Sequence, residues 1–151
     1  MTYKKMFFPI GGGDELKERI HGAMLIGKYF QAHLEILKSE AIPMKMMNVD
    51  QSLSTTVLKQ LKSMVKEERQ KEIKMHSTLV ENEAKNLGIT VSNRRIKGEA
   101  TAELITARGY RSQIIEQESK YCDVVVVASP PKGKLTATFE TTITKSGKPA
   151  L

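Results

Sequence analysis

The run Asp123-Val-Val-Val-Val-Ala128 constrains this chain more than any other segment. Branching at Cβ stiffens valine and suits it to pleated backbone. A half-exposed strand alternates apolar with polar residues, and this run does not alternate. It therefore reads as a strand covered on both faces, which belongs almost only to parallel sheets flanked by helices. Ser129, Pro130 and Pro131 stop it, because proline has no amide to give the ladder. The rest of the chain then has to supply helices and further parallel strands.

It does so in alternation. Residues 4–10 form a short apolar run that reads as a buried strand. Gly11, Gly12 and Gly13 make a loop tolerant of unusual backbone angles, and Asp14 offers its carboxylate to the free amides of a helix start. Leu16, Ile20, Ala23, Met24, Gly27 and Phe30 follow at helical spacing. Leu34, Ile36 and Leu37 indicate a second strand. The methionines Met44, Met46 and Met47 beyond Pro43 read as gap-filling apolar contacts.

Residues 52–86 are helical in pattern, with room for a break in the charged stretch 66–72, and Gly88 stands where a helix C-terminus wants it. Ile89, Val91 and Ile96 suggest a third strand ending at Gly98. Residues 101–121 read as a helix weakened by Gly109. After the valine strand, residues 136–145 suggest a last helix, and Pro149-Ala150-Leu151 the beginning of a fifth, incomplete strand. The fold class is α/β, an open doubly wound parallel sheet with right-handed crossovers. Such sheets bind ligands at the carboxyl ends of the strands, where strand order reverses. The loops in that position are residues 10–13 and 128–133.

The 151 residues suit a single domain spanning 1–151, long enough to bury a core without disulfides or metal. One cysteine, Cys122, excludes an internal disulfide and suits a reducing compartment. The N-terminal apolar stretch is too brief for a signal peptide, and the valine run falls far short of the roughly 20 residues of a membrane span. A cytoplasmic protein is the expectation.

A net charge of +7 invites anionic partners. However, Lys59, Lys62, Lys66, Arg69, Lys71 and Lys74 are interleaved with Glu67, Glu68 and Glu72, as on a solvated helix face. Arg94, Arg95 and Lys97 form a smaller basic cluster placed in the third strand. Aromatic residues make up 5% and tryptophan is absent, so a base-stacking surface is poorly supplied. A basic nucleic-acid adaptor using that cluster remains an alternative.

Catalytic motifs are missing. There is no Walker loop, no G-x-G-x-x-G and no serine elbow. His21, His33 and His76 lack partners at metal-ligand spacing along the chain and read as surface or core-edge residues. Cys122 has no basic neighbour to lower its pKa and reads as a small apolar residue. Asp123 is placed at the amino edge of its strand. No catalytic or metal-binding residues are expected.

Phe8-Pro9-Ile10-Gly11-Gly12 resembles the first strand and turn of the universal stress protein family, usually V-P-V-D-G-S. Gly98 resembles the glycine ending that family's third strand. Cys122-Asp123 and the valines resemble its A-D-L-I-V-V-G strand. Phe139-Glu140 and the stretch from Ser146 to Leu151 resemble the F-E…S-G-R-P-V-L ending of two-domain bacterial members. Against the usual family spacing, about ten extra residues lie between Gly98 and Ile114.

The resemblance implies the universal stress protein, or adenine-nucleotide alpha-hydrolase-like, fold with strand order 3-2-1-4-5. It also implies a regulatory, non-enzymatic stress-response domain. In the nucleotide-binding branch it implies an ATP or AMP pocket, placed here by position at Pro9, Ile10, Gly11, Ser39, Val127, Ala128, Ser129 and Thr136. That pocket normally uses an aspartate in the first turn and a G-x-x-G-(nine residues)-G-[ST] loop. Here Gly11 replaces the aspartate, Ala128 and Pro131 replace the first two glycines, and Thr136-Ala137 replace the last pair. Pro130 and Pro131 also remove two amide donors. The expectation is a degenerate pocket with no required cofactor, the alternative being an ATP/AMP module with at most slow hydrolysis.

The implied partner is a second copy in a homodimer, or a second universal-stress domain in the same protein. The chain reads as a truncated piece or as the first half of a tandem. An incomplete fifth strand would leave backbone groups to pair with that partner.

Overall fold

The computed structural model describes residues 3–10, 15–40, 54–127 and 147–151. Among them, five strands form one sheet: β1 (Lys5–Pro9), β2 (His33–Glu40), β3 (Thr90–Val91), β4 (Thr101–Arg108) and β5 (Val124–Val125). Among the described residues three helices flank it: α1 (Leu16–Phe30), α2 (Thr55–Leu87) and α3 (Arg111–Ser119). The strand order is β3-β4-β2-β1-β5 and every pairing is parallel. Set aside the two-residue edge strand β3 and this is the expected order 3-2-1-4. Residues 149–151 add the fifth position. Val125 donates to the Pro149 carbonyl, Leu151 to Val125, and Val127 to Leu151, with Val125 and Ala150 as parallel partners.

Strand side chains alternate between two faces, and the two faces carry separate cores. On one, Met6, Phe8, Ile36 and Val124 pack against Ile20 and Met24 of α1 and Val80 and Ala84 of α2. On the other, Phe7, Leu37 and Val125 pack against Ile114 and Ile115 of α3, with Cys122. The split follows from topology. The chain steps from β1 to β2 and on toward β4 in one direction, then reverses to β5. Right-handed crossovers therefore put α1 and α2 on one face and α3 on the other.

Three sequence expectations need correction. Residues 101–108, expected to be helical, form the strand β4. Ala102, Glu103, Leu104 and Ala107 favour helices intrinsically. All eight β4 residues nevertheless pair with β2, from His33↔Thr101 to Glu40↔Arg108, and that ladder overrides propensity. Gly109, with φ of 138°, ends the strand in backbone that side chains avoid, and α3 starts only at Arg111.

The third strand does not run to Gly98. It stops at Val91, while Ile96, Gly98, Arg94, Arg95 and Lys97 lie in the connection between β3 and β4. Gly109, not Gly98, is therefore the glycine that ends the strand before α3. Finally, α2 runs unbroken through 66–72. Ser54 caps it by accepting from the Val57 amide, and Gly88 closes it at φ 71°, its amide bonded to Ala84 and Lys85 carbonyls.

The valine strand, the first strand, α1 and β2 stand where the sequence puts them. The Asp14 cap, the methionine cluster and the last helix fall outside the described residues.

Candidate functional site

Strand order reverses between β1 and β5, so the expected ligand position is at their carboxyl ends. Pro9 and Ile10 are buried there, Val126 is buried and Val127 is half-buried. Ser39 is half-buried near the carboxyl end of the neighbouring strand β2. These positions do share one edge of the sheet. Gly11, Ala128, Ser129 and Thr136 lie outside the described residues.

Of these positions only Ser39 is polar, though Lys38 and Glu40 of β2 and Arg108 of β4 stand at the same end, and the amides of Ile10, Val126 and Val127 are engaged. Ile10 donates to the Leu37 carbonyl at 2.8 Å, Val126 to Phe7 at 2.7 Å and Val127 to Leu151 at 2.9 Å. An amide already in the sheet ladder is not available to cradle a phosphate.

The amino ends of the same strands are different. His33 and Glu35 are two residues apart on β2 and so share a face. Glu103 of β4 is the register partner of Glu35, and Thr101 that of His33. Lys5 of β1 reaches the same place, its Nζ 2.7 Å from Glu35 Oε1. His33 Nε2 lies 3.4 Å from Glu103 Oε2, and His33 Nδ1 lies 2.7 Å from Thr101 Oγ1. His33 and Glu35 are buried. The Glu103 side chain keeps 26% of its exposure and that of Lys5 33%, so the cluster opens to solvent on one side.

Burial alone would lower the Lys5 ammonium, but the hydrogen bond and charge of Glu35 outweigh it and hold its pKa above the ordinary lysine value. Cys122 lies beside Glu35, Sγ 3.8 Å from Oε2. Burial, and then the Glu35 charge, push its thiol up to about 12, which makes it inert as a nucleophile. Asp123 fastens the amino end of β1 by accepting from the amides of Lys4 at 2.8 Å and Lys5 at 3.0 Å.

Sequence reasoning missed the cluster because its members come from three strands, with His33 and Thr101 separated by 68 positions. The local signal was the His-x-Glu spacing, which sets two polar side chains on one face of a strand just before Ile36 and Leu37. The other histidines do different work. His21 of α1 pairs with Glu83 of α2 at 2.9 Å. Buried His76 sits on α2 near the Lys38–Glu72 ion pair. Arg94, Arg95 and Lys97 are exposed.

Among the described residues, no helix is long and apolar enough to cross a membrane. No protein-family profile and no curated protein matches the sequence. Solved structures do match along the full chain. A universal stress protein in complex with cAMP shares 14% identity over 100% of this chain and 96% of its own, with a TM-score of 0.56. Universal stress protein UspA from Lactobacillus plantarum shares 15% over 100% and 97%, with a TM-score of 0.58. The universal stress protein from Archaeoglobus fulgidus in complex with dAMP shares 11% over 100% and 98%, with a TM-score of 0.53. With its parallel order, its two-faced core and its strand reversal between β1 and β5, the chain has the fold of the universal stress proteins.

Proposed function

We propose that this chain is a universal-stress-type regulatory domain that works by pairing with a second domain of the same fold rather than by turning over a nucleotide. The observation that carries the reading is the sheet edge at residues 149–151. Pro149 and Leu151 face β5 with their backbone groups, so the N–H and C=O of Ala150 point the other way. Ala150 is exposed and Leu151 is 43% exposed. An edge with outward backbone groups and apolar side chains is a template for pairing. The partner is a second copy or a second universal-stress domain, and the chain is one domain of such an assembly.

Sedimentation equilibrium tests this. Self-association is expected, and Ala150→Pro, which removes the outward amide, is expected to weaken it about fivefold per hydrogen bond lost, since a net hydrogen bond is worth roughly 1 kcal/mol. A monomer at all concentrations, or association indifferent to Ala150→Pro, contradicts the pairing mode.

The second reading is an ATP- or AMP-binding module without a catalytic role. It is favoured by the cAMP and dAMP bound to proteins of this fold. Against it stand the engaged amides of Ile10 and Val127 and the replacement of the aspartate by Gly11. Titration calorimetry with ATP and AMP separates the two. Dissociation constants weaker than about 1 mM, less than about 4 kcal/mol of binding, fit the degenerate pocket. Low-micromolar binding favours the module.

A further inference from the structure

We propose that His33, Glu35 and Glu103 form a binding site for a divalent transition-metal ion, of the zinc or cobalt kind, at the amino end of the sheet. The ligand atoms of the three side chains lie within 4.8 Å of one another. Ligands set tetrahedrally at about 2.1 Å from a zinc ion stand about 3.4 Å apart. His33 Nε2 and Glu103 Oε2 stand 3.4 Å apart, a spacing long for a charge-assisted hydrogen bond and right for two ligands of one ion.

The sheet gives an independent reason for a cation. Glu35 and Glu103 are register partners on adjacent strands. Like charges directly opposite each other destabilise a sheet, and glutamate is depleted in strands to begin with. Lys5 offsets this in part, at Glu35 Oε1. A divalent ion between the two carboxylates would offset it fully.

The imidazole is also held as a metal ligand is held. Its Nδ1 lies 2.7 Å from Thr101 Oγ1. If Nδ1 donates to that oxygen, the lone pair of Nε2 faces Glu103. A ligating histidine characteristically gives its other ring nitrogen to such a partner, which fixes tautomer and ring angle. One nitrogen and two carboxylate oxygens suit a borderline ion, whereas calcium and magnesium prefer oxygen alone. Three protein ligands leave a fourth position, and the exposed side of Glu103 and Lys5 gives the route in. Lys5 is then an internal competitor whose side chain swings to solvent when the ion enters.

The test is cobalt titration of the metal-free protein followed by visible absorption, with zinc competing afterwards. One cobalt per chain with the intense bands of a tetrahedral site is expected, displaced by zinc. Lys5→Gln is expected to tighten binding by removing the competitor. Thr101→Val is expected to weaken it about tenfold, and Glu103→Gln and His33→Gln by about 100-fold or more, on the scale of losing a supporting or a direct ligand. His21→Gln, at the other histidine–glutamate pair, is expected to leave it unchanged.

Circular dichroism shows which variants remain folded. Glu103→Gln lies at the partly exposed ligand and Lys5→Gln removes no ligand, so these two decide if His33→Gln does not fold. Absence of cobalt bands in both the wild type and Lys5→Gln overturns the proposal. So does cobalt binding that Glu103→Gln leaves intact.

Discussion

The two ends of this sheet differ most beside the strand reversal. At the carboxyl end, where parallel sheets keep their ligands, the described positions Pro9, Ile10, Val126 and Val127 are apolar and the amides of the last three serve the ladder. At the amino end, where such sheets keep only strand starts, His33, Glu35, Glu103, Thr101 and Lys5 converge. A fold therefore does not dictate which of its ends carries chemistry. The side chains that the register brings together do.

The largest effect is expected in the middle, which both ends share. Phe7 is fully buried on β1 between them, and Phe7→Ala should cost about 3–5 kcal/mol in urea unfolding. A loss below 1 kcal/mol would mean that the α3 face is not a tight core.

At the carboxyl end, backbone rather than side chain is at stake. Gly109 holds φ at 138° where β4 stops, so Gly109→Ala should cost about 1–3 kcal/mol through strain alone. An unchanged midpoint would show that the turn relaxes freely.

At the amino end, the sign of the effect sharpens the contrast. Without metal, Glu103→Gln relieves the like-charge opposition to Glu35 and should stabilise by about 0.2–1 kcal/mol. With saturating zinc the same variant should melt below the wild type, because only the wild type gains binding energy. Equal melting shifts with zinc in both proteins would remove the ion from the account.

The smallest effect concerns pH. Burial, and then the charge of Lys38, hold the His76 pKa below its ordinary value, while Glu72 opposes them. The unfolded chain then takes the proton first as pH falls. Stability from His76 is full above about pH 6.5 and is lost as pH drops from there through the lower folded value. His76→Leu should lose less stability than the wild type between about pH 7.5 and 5.5 in thermal melts. Parallel loss in both would place the acid sensitivity elsewhere.

Much of the architecture was legible because it rests on local pattern. Four valines in a row marked β5, helical spacing from Leu16 to Phe30 marked α1, and Gly88 marked the end of α2. Strand β4 was illegible because its own residues favour a helix, and only the eight-residue ladder to β2 makes it a strand. The cluster at the amino end was illegible for a related reason. A histidine and two glutamates from two strands become neighbours only once that ladder has set its register, and Lys5 joins them from a third.

Amide and imidazole NMR of one nitrogen-labelled sample, titrated first with zinc and then with AMP, tests the contrast between the two ends most directly. The account predicts that zinc moves the His33 ring nitrogens and the amides of residues 33–35 and 101–103, while AMP at micromolar concentration leaves Ile10, Val126 and Val127 unmoved. Shifts at Ile10 and Val127 with AMP, together with a silent His33 under zinc, would contradict it.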